Sequence, residues 1–126
     1  MAISAIELRI GNILLLDTGH TLPQPHRIVP QDIVDIWGGL PEKINIEPIP
    51  LSSNILLKCG FTLDNYDVFY IKNKEGYLWV RPFESLFEVC VGQELDMLIK
   101  ITDIQYLHQL QNLIFALQGT ELIVNL

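Results

Sequence analysis

Glycine and proline keep the regular elements of this chain short, and this spacing constrains the fold more than any other feature of the sequence. Eight glycines and seven prolines punctuate 126 residues, and the longest uninterrupted aliphatic run is Ile13 to Leu16. A helix that spans a membrane needs about 20 apolar residues. We therefore expect strands of a few residues and short helices, a pattern typical of a small mixed domain.

The first half of the chain contains strand patterns on both sides of clear turns. Leu8 to Leu16 predicts a first strand, partly alternating and then apolar on both faces. The aromatic and β-branched runs 66–72 and 77–81 predict a hairpin around residues 73–76, where a glycine is available for positive φ.

A second hairpin follows, and its register is predicted from the requirement that its apolar residues share one buried face. Pairing Val91 with Met97 leaves residues 92–96 as the loop. The same register pairs Val89 with Ile99, Phe87 with Ile101, and Glu88 with Lys100. The last pair has opposite charges on the outer face, which supports the register. Two unconnected strands are the alternative.

Capping residues indicate three helices. Residues 30–37 begin with a proline and end at a glycine pair, and residues 51–61 combine a serine N-cap with a glycine exit. The third helix is long, covers residues 104–118 and is capped by Thr102 or Asp103. Its apolar residues fall within about 120° of arc, the width of a core-facing stripe.

These elements predict a single α+β domain over residues 1–126. It contains an antiparallel sheet of two hairpins plus the N-terminal strand, covered by one long C-terminal helix and two short helices. Brief additional strands are expected over residues 44–47 and 121–126. The alternative in which the sheet curls into a small barrel stays open.

Charge and cysteine content restrict the partners and the compartment. The chain has 15 acidic and 8 basic residues and therefore a net charge of −7. The segment from Pro82 onward contains six acidic residues and one basic residue, Lys100. This imbalance repels phosphate, so we expect no nucleic-acid partner. Cys59 and Cys90 are predicted to be buried and reduced, and no secretory leader or membrane-spanning run is recognised. A cytoplasmic protein without a membrane partner is expected.

The sequence offers no constellation that would perform chemistry. His20 and His26 share a loop with Asp17, but their spacing matches no metal-ligand motif. The glycines form no nucleotide-binding pattern, and there is no nucleophile elbow. We therefore predict no catalytic residue, no cofactor and no metal site, and an enzyme of unidentified class stays a third alternative.

The long helix has an unusual composition, because residues 104–118 contain no charged side chain. Exposed helix faces normally carry Lys and Glu, whereas charge depletion is typical of a contact surface. One interpretation is that its polar side meets a partner or a second copy; the other is that strands and loops of the same domain bury it. The candidate contact face consists of Gln105, His108, Gln109, Gln111, Asn112 and Phe115.

Residues 106–122, which read YLHQLQNLIFALQGTEL, resemble the closing signature of a family of small uncharacterised bacterial and prophage proteins. That signature reads Y-[LV]-H-Q-L-Q-N-L-x-F-A-L-x-G. The stretches 8–12, 47–52, 56–58 and 60–61 agree with the same family. The family more often has acidic residues at Ser53 and Asn54 and aromatic residues at Ile55 and Cys59. The resemblance implies a mobile-element setting and no chemistry, and such a setting favours a protein that binds other proteins.

The leading functional hypothesis is a non-catalytic protein-interaction module that associates with itself or with a partner through helix 104–118. The alternative is an acidic inhibitor that mimics nucleic acid, based on the excess of acidic residues after Pro82.

Overall fold

The computed structural model describes residues 8–20, 22–39, 45–73, 76–94 and 97–126. It divides the chain into two compact units, Met1–Pro50 with Tyr106–Leu113, and Leu51–Gln105 with Ile114–Leu126. The predicted α+β class is confirmed, because two antiparallel sheets of three and five strands occur with three helices. Neither sheet closes into a barrel within the described residues. The single domain over residues 1–126 stays a prediction.

The first unit contains a three-stranded sheet and one short helix. Strand β1 (Ile13–Asp17) lies between β2 (Gln24–Arg27) and β3 (Asn45–Glu47), and both pairings are antiparallel. Helix α1 (Pro30–Gly38) follows β2 and starts with proline as predicted. The core of this unit contains the buried residues Leu14, Ile28 and Ile46, against which Leu8, Leu16, Ile33 and Ile36 pack.

Two features of the first unit differ from the prediction. The first strand begins at Ile13 rather than at Leu8, because Gly11 has φ +96° and the Asn12 amide donates to the Arg9 carbonyl, which forms a turn. Strand β2 occupies the end of a predicted loop. It contains Pro25, and a proline is tolerated there because β2 is an edge strand. Of the predicted strand 44–47, residue 44 lies outside the described residues.

The second unit contains a five-stranded antiparallel sheet in the order β4-β5-β6-β7-β8. One face buries Phe69, Leu78, Val80 and Val89. The other face contains a second cluster centred on Trp79. The strands are β4 (Thr62–Leu63), β5 (Phe69–Asn73), β6 (Gly76–Phe83), β7 (Leu86–Gly92) and β8 (Ile99–Ile104).

The predicted hairpin of residues 66–72 and 77–81 is confirmed as β5–β6, with Lys72 opposite Tyr77. Residues 74 and 75 of its predicted loop lie outside the described residues. The structure adds a hairpin that we did not predict, in which β6 and β7 join at Glu84 and Ser85. The turn was not recognised because it contains no glycine. Instead, Glu84 itself adopts a positive φ of +55°.

The predicted register of the β7–β8 hairpin is wrong. Val91 lies opposite Ile99 rather than Met97, and Phe87 lies opposite Ile104. The register shifts within β8 because Ile101 is an extra residue that has no opposite residue on β7, a β-bulge. Glu88 bonds instead to Arg81 of β6, at 3.2 Å. Residues 95 and 96 of the predicted loop lie outside the described residues.

The two remaining helices have the predicted ends with one exception. Helix α2 (Ser53–Lys58) is capped by Ser52, whose hydroxyl accepts from the Ile55 amide at 3.2 Å. Helix α3 (Leu107–Gln118) begins later than predicted because Thr102 and Asp103 belong to β8, so neither is its cap. At its start, the Tyr106 amide donates to the side chain of Gln109 at 3.0 Å.

The C-terminal segment 121–126 is not a strand. It is held in the second unit by the buried residues Leu122 and Val124 and by a bond from the Asn125 amide to the Lys58 carbonyl, at 3.0 Å. The segment therefore packs through side chains rather than through a ladder.

Candidate interaction surface

The six residues predicted as a contact face do not form one exposed surface. Four of them are accessible to different degrees: Gln105 and Phe115 are exposed, whereas Gln109 and Asn112 are half-buried. Only these four could meet a partner without rearrangement.

The other two predicted contact residues, His108 and Gln111, lie in the interior, with exposed fractions of 3% and 0%. The His108 ring stacks on Tyr106, with 6.0 Å between ring centroids and 15° between ring planes. Because neither side chain reaches the surface, the expectation that both belong to an outward contact face is corrected.

The Gln111 side chain clamps the backbone on both sides of Asn12. Its carbonyl oxygen accepts from the Ile13 amide at 2.8 Å, and its amide nitrogen donates to the Gly11 carbonyl at 3.1 Å. Both bonds link helix α3 to a segment about a hundred residues earlier in the chain. A carboxylate at this position could not make the second bond, because it has no hydrogen to donate.

Asn112 extends this network on the same turn of the helix. Its side-chain oxygen accepts from Asn12 at 2.8 Å and from the Arg9 guanidinium at 3.1 Å. Arg9 also donates to the backbone carbonyl of Gln111 at 3.3 Å, and Asn12 is fully buried. Buried polar groups are stable only when they are hydrogen-bonded, and each amide here has partners.

This network explains why the first half of the helix is uncharged. Burying an ionised side chain costs more than burying a hydrogen-bonded amide, so Gln and Asn suit positions where Glu or Lys would not. The role of Asn12 was not predicted, although a lone amide between Gly11 and an aliphatic strand is a usable signal in the sequence.

A different surface, on the second unit, exposes large apolar side chains. Met97 and Ile99 are 72% and 70% exposed, and Leu117, in the last turn of α3, is 47% exposed. They border a groove of about 470 Å³, which we call the β8 groove. Its described lining residues, none of them charged, are Gly76, Tyr77, Val91, Gly92, Gln93, Met97, Ile99, Ile101, Leu117 and Gln118.

Strand β8 is an edge strand, and among the described strands it pairs only with β7. Its ladder is interrupted by the bulge at Ile101, and Lys100 and Asp103 form an ion pair at 3.1 Å. Bulges and charges on an edge strand oppose the addition of another strand. The accessible part of this edge is therefore its aliphatic side chains rather than its backbone.

The cysteines are free and buried, as predicted. Burial raises the pKa of the Cys59 thiol to about 11, and burial is also the main cause that raises the pKa of Cys90. Both thiols are therefore protonated at neutral pH and are poor nucleophiles.

Histidines and acidic residues do not gather into a metal site within the described ranges. His20 is exposed, and His26 contacts Asp32 at 2.9 Å. The same Asp32 oxygen accepts from the Val29 amide at 2.8 Å and so closes the start of helix α1. His26 therefore has a structural partner in its own unit.

Among the described helices, none has both the length and the apolar composition needed to cross a membrane. Comparison of the chain with protein-family models, with curated proteins and with solved structures found no match.

Proposed function

We propose that this chain is a non-catalytic protein-interaction module that binds a partner, or a second copy of itself, through the β8 groove. The observation that supports the proposal is the group of exposed aliphatic side chains formed by Met97, Ile99 and Leu117. Contiguous exposed apolar surface is a common mark of interaction sites. Helix α3 contributes its last turn to this surface. The polar side of the helix, which the sequence suggested as the contact face, does not belong to it.

The size of the surface sets the kind of contact. Complete burial of an aliphatic side chain contributes about 1.5–3 kcal/mol, so Met97 and Ile99, each about 70% exposed, offer about 2–4 kcal/mol together. Association costs at least about 4 kcal/mol in lost translation and rotation. A specific partner must therefore also cover Ile101 and Leu117, and we expect a complex that forms reversibly.

The mode of contact follows from the shape of the edge. Because the bulge at Ile101 and the Lys100–Asp103 ion pair interrupt β8, strand addition is unfavourable. We infer that the partner inserts apolar side chains into the groove, whose lining also includes the uncharged amides of Gln93 and Gln118. An apolar centre with a polar rim is typical of protein interfaces.

The alternative of an acidic nucleic-acid mimic has less support. Of the acidic residues after Pro82, Glu88 pairs with Arg81 and Asp103 pairs with Lys100, which reduces the local negative field. The proposal retains the expectation of a cytoplasmic, bacterial or prophage protein that binds no nucleic acid, given the net charge of −7.

The test places a charge in the β8 groove. Ile99→Glu and Leu117→Glu should each weaken association at least tenfold, because a carboxylate buried against apolar groups is costly. Leu57→Glu is the matched control, since Leu57 is also an exposed aliphatic residue and does not line the groove. Self-association is measured by sedimentation velocity over a range of concentrations, and partner binding by pull-down from bacterial lysate with mass spectrometry.

The proposal requires a complex that Leu57→Glu retains and both groove variants lose, with the circular dichroism of all three variants unchanged. A chain that stays monomeric and captures no partner contradicts it. A complex that is insensitive to both groove variants but dissociates steeply with salt would favour the nucleic-acid mimic instead.

A further inference from the structure

We infer that a second site on the second unit, at the opposite edge of its sheet, binds a short peptide that carries both a carboxylate and a cationic group. The site is a cleft of about 730 Å³, which we call the β4 cleft. Its described lining residues are Ser53, Leu63, Tyr66, Asp67, Val68, Phe69, Arg81 and Pro82. It shares no lining residue with the β8 groove, so the inference does not rest on the proposed function.

Arg81 supplies the group that would recognise a carboxylate. Its guanidinium is held from one side by Glu88, at 3.2 Å, and the Glu88 side chain is largely buried at 12% exposed. The Arg81 side chain is 43% exposed and lines the cleft. A guanidinium has five donors in a rigid planar fork, and this contact with Glu88 uses one of its nitrogens.

Asp67 supplies the opposite charge and is held by a rigid turn. The side-chain oxygen of Asp64 accepts from the amides of Tyr66 and Val68, at 2.8 and 3.0 Å, and the Asp64 amide donates to the Val68 carbonyl. Asp67 has φ +60°, a left-handed conformation that aspartate and asparagine adopt more readily than other non-glycine residues. The carboxylate is thus displayed on a fixed backbone.

The charges of the cleft decide the ligand class. Arg81 alone would suit phosphate, but Asp67 lines the same cleft and Glu88 already contacts the guanidinium. The sum of these three charges is negative, which disfavours a dianion. A ligand with separated positive and negative groups satisfies both Arg81 and Asp67.

The remaining walls favour a peptide over a free amino acid. Val68 and Phe69 line the cleft but are buried, whereas Leu63, Tyr66 and Pro82 are exposed around it. A cleft of this volume accommodates several residues, and Leu63 belongs to β4, which among the described strands pairs only with β5. An extended peptide would therefore follow the edge of β4 while its apolar side chains contact Leu63 and Tyr66.

The test uses the acetylated, amidated peptide KVYVE and its uncharged counterpart QVYVQ. Each is titrated into the full ¹⁵N-labelled chain, and amide shifts give the site and the Kd. We expect KVYVE to shift the amides of Leu63, Tyr66 and Val68 and to bind at least threefold more tightly than QVYVQ. Equal binding of the two peptides, shifts confined to other residues, or no binding at about 5 mM peptide would overturn the inference.

Two variants test whether Asp67 and Arg81 bind the charged groups of the peptide. Asp67→Asn keeps a side chain that tolerates positive φ and should weaken KVYVE binding about threefold to tenfold, while QVYVQ is unaffected. Arg81→Lys keeps the charge opposite Glu88 but removes the fork, with an expected loss of similar size. Glu94→Gln, an exposed acid outside the cleft, is the control and should leave the Kd unchanged.

If Arg81→Lys fails to fold, the test rests on Asp67→Asn alone. Unchanged KVYVE binding by Asp67→Asn would then overturn the inference. Leu117→Glu separates this site from the β8 groove, because it should bind KVYVE like the unmodified chain.

Discussion

Replacing Gln111 tests whether the first half of helix α3 is uncharged because its amides bond to buried groups of the first unit. Gln111→Leu keeps a similar volume but leaves the buried Ile13 amide without its acceptor, whereas the Gly11 carbonyl still accepts from Arg27 at 3.1 Å. A buried donor without a partner costs about 1–3 kcal/mol. We therefore expect Gln111→Leu to lower the free energy of unfolding by about 1–3 kcal/mol.

Gln111→Glu adds a charge at the same fully buried position. One carboxylate oxygen can still accept from the Ile13 amide, but the other faces the Gly11 carbonyl, an acceptor that offers no hydrogen. The Arg9 guanidinium, which donates to the backbone carbonyl of Gln111, brings a positive charge nearby that offsets part of the cost. We expect a loss of about 2–4 kcal/mol at pH 7, because desolvation exceeds the remaining attraction.

The pH dependence of this variant has a definite sign. Burial raises the pKa of the introduced carboxyl above its unfolded value of about 4.3. A protonated carboxyl can donate to the Gly11 carbonyl as Gln111 does, so the deficit relative to the unmodified chain should be small below pH 4.3. It should then grow as the pH rises through the higher pKa of the folded state.

The assay is urea unfolding followed by circular dichroism, with both chains measured at each pH so that only their difference is interpreted. Gln105→Glu is the matched control, because Gln105 is exposed, and it should change stability by less than about 0.5 kcal/mol. If Gln111→Glu costs no more than this control at pH 7, the buried amide network is not the reason that the helix lacks charge.

Two further predictions concern the second unit. Because burial raises the pKa of the Cys59 thiol from 9.0 to about 11, the folded state gains stability that is present below pH 9 and is lost as the pH rises toward 11. The full shift corresponds to about 3 kcal/mol, and Cys59→Ala should flatten this alkaline loss in urea unfolding curves. Ser52→Ala should cost about 1 kcal/mol, because the Ile55 amide loses its cap, and Ser53→Ala, at the adjacent exposed position, is the comparison for that measurement.

Local chemistry explains which elements could be predicted from the sequence. Helix α2 is bounded by a serine cap and by Gly60 at φ +89°, and the β5–β6 hairpin joins two aromatic and β-branched runs. Such signals act within a few residues, so they do not depend on the rest of the fold. The same reasoning failed at Glu84, where a non-glycine residue adopts positive φ in a hairpin turn.

The register of β8 depended on contacts that local patterns do not contain. The alternation of Met97, Ile99 and Ile101 predicted a buried face, yet the first two are among the most exposed apolar residues of the described chain. In the observed register, Ile101 forms a bulge and Glu88 pairs with Arg81 on the other neighbouring strand. A cross-strand charge pair is therefore weak support for a register when a third strand offers another partner.

Burial explains the absence of charge in the first half of helix α3 but not in its last turn. In the first half, the amides of Gln111 and Asn112 replace charges because they bond to buried groups of the N-terminal segment. In the last turn, Phe115 and Leu117 are exposed, so internal burial does not explain the lack of charge there. The two halves should consequently respond differently: variants at Gln111 should lower stability, whereas Leu117→Glu should leave stability nearly unchanged and weaken association. A Leu117→Glu variant that unfolds the chain would show that the whole helix serves the interior, and the case for an interaction surface would then rest on β8 alone.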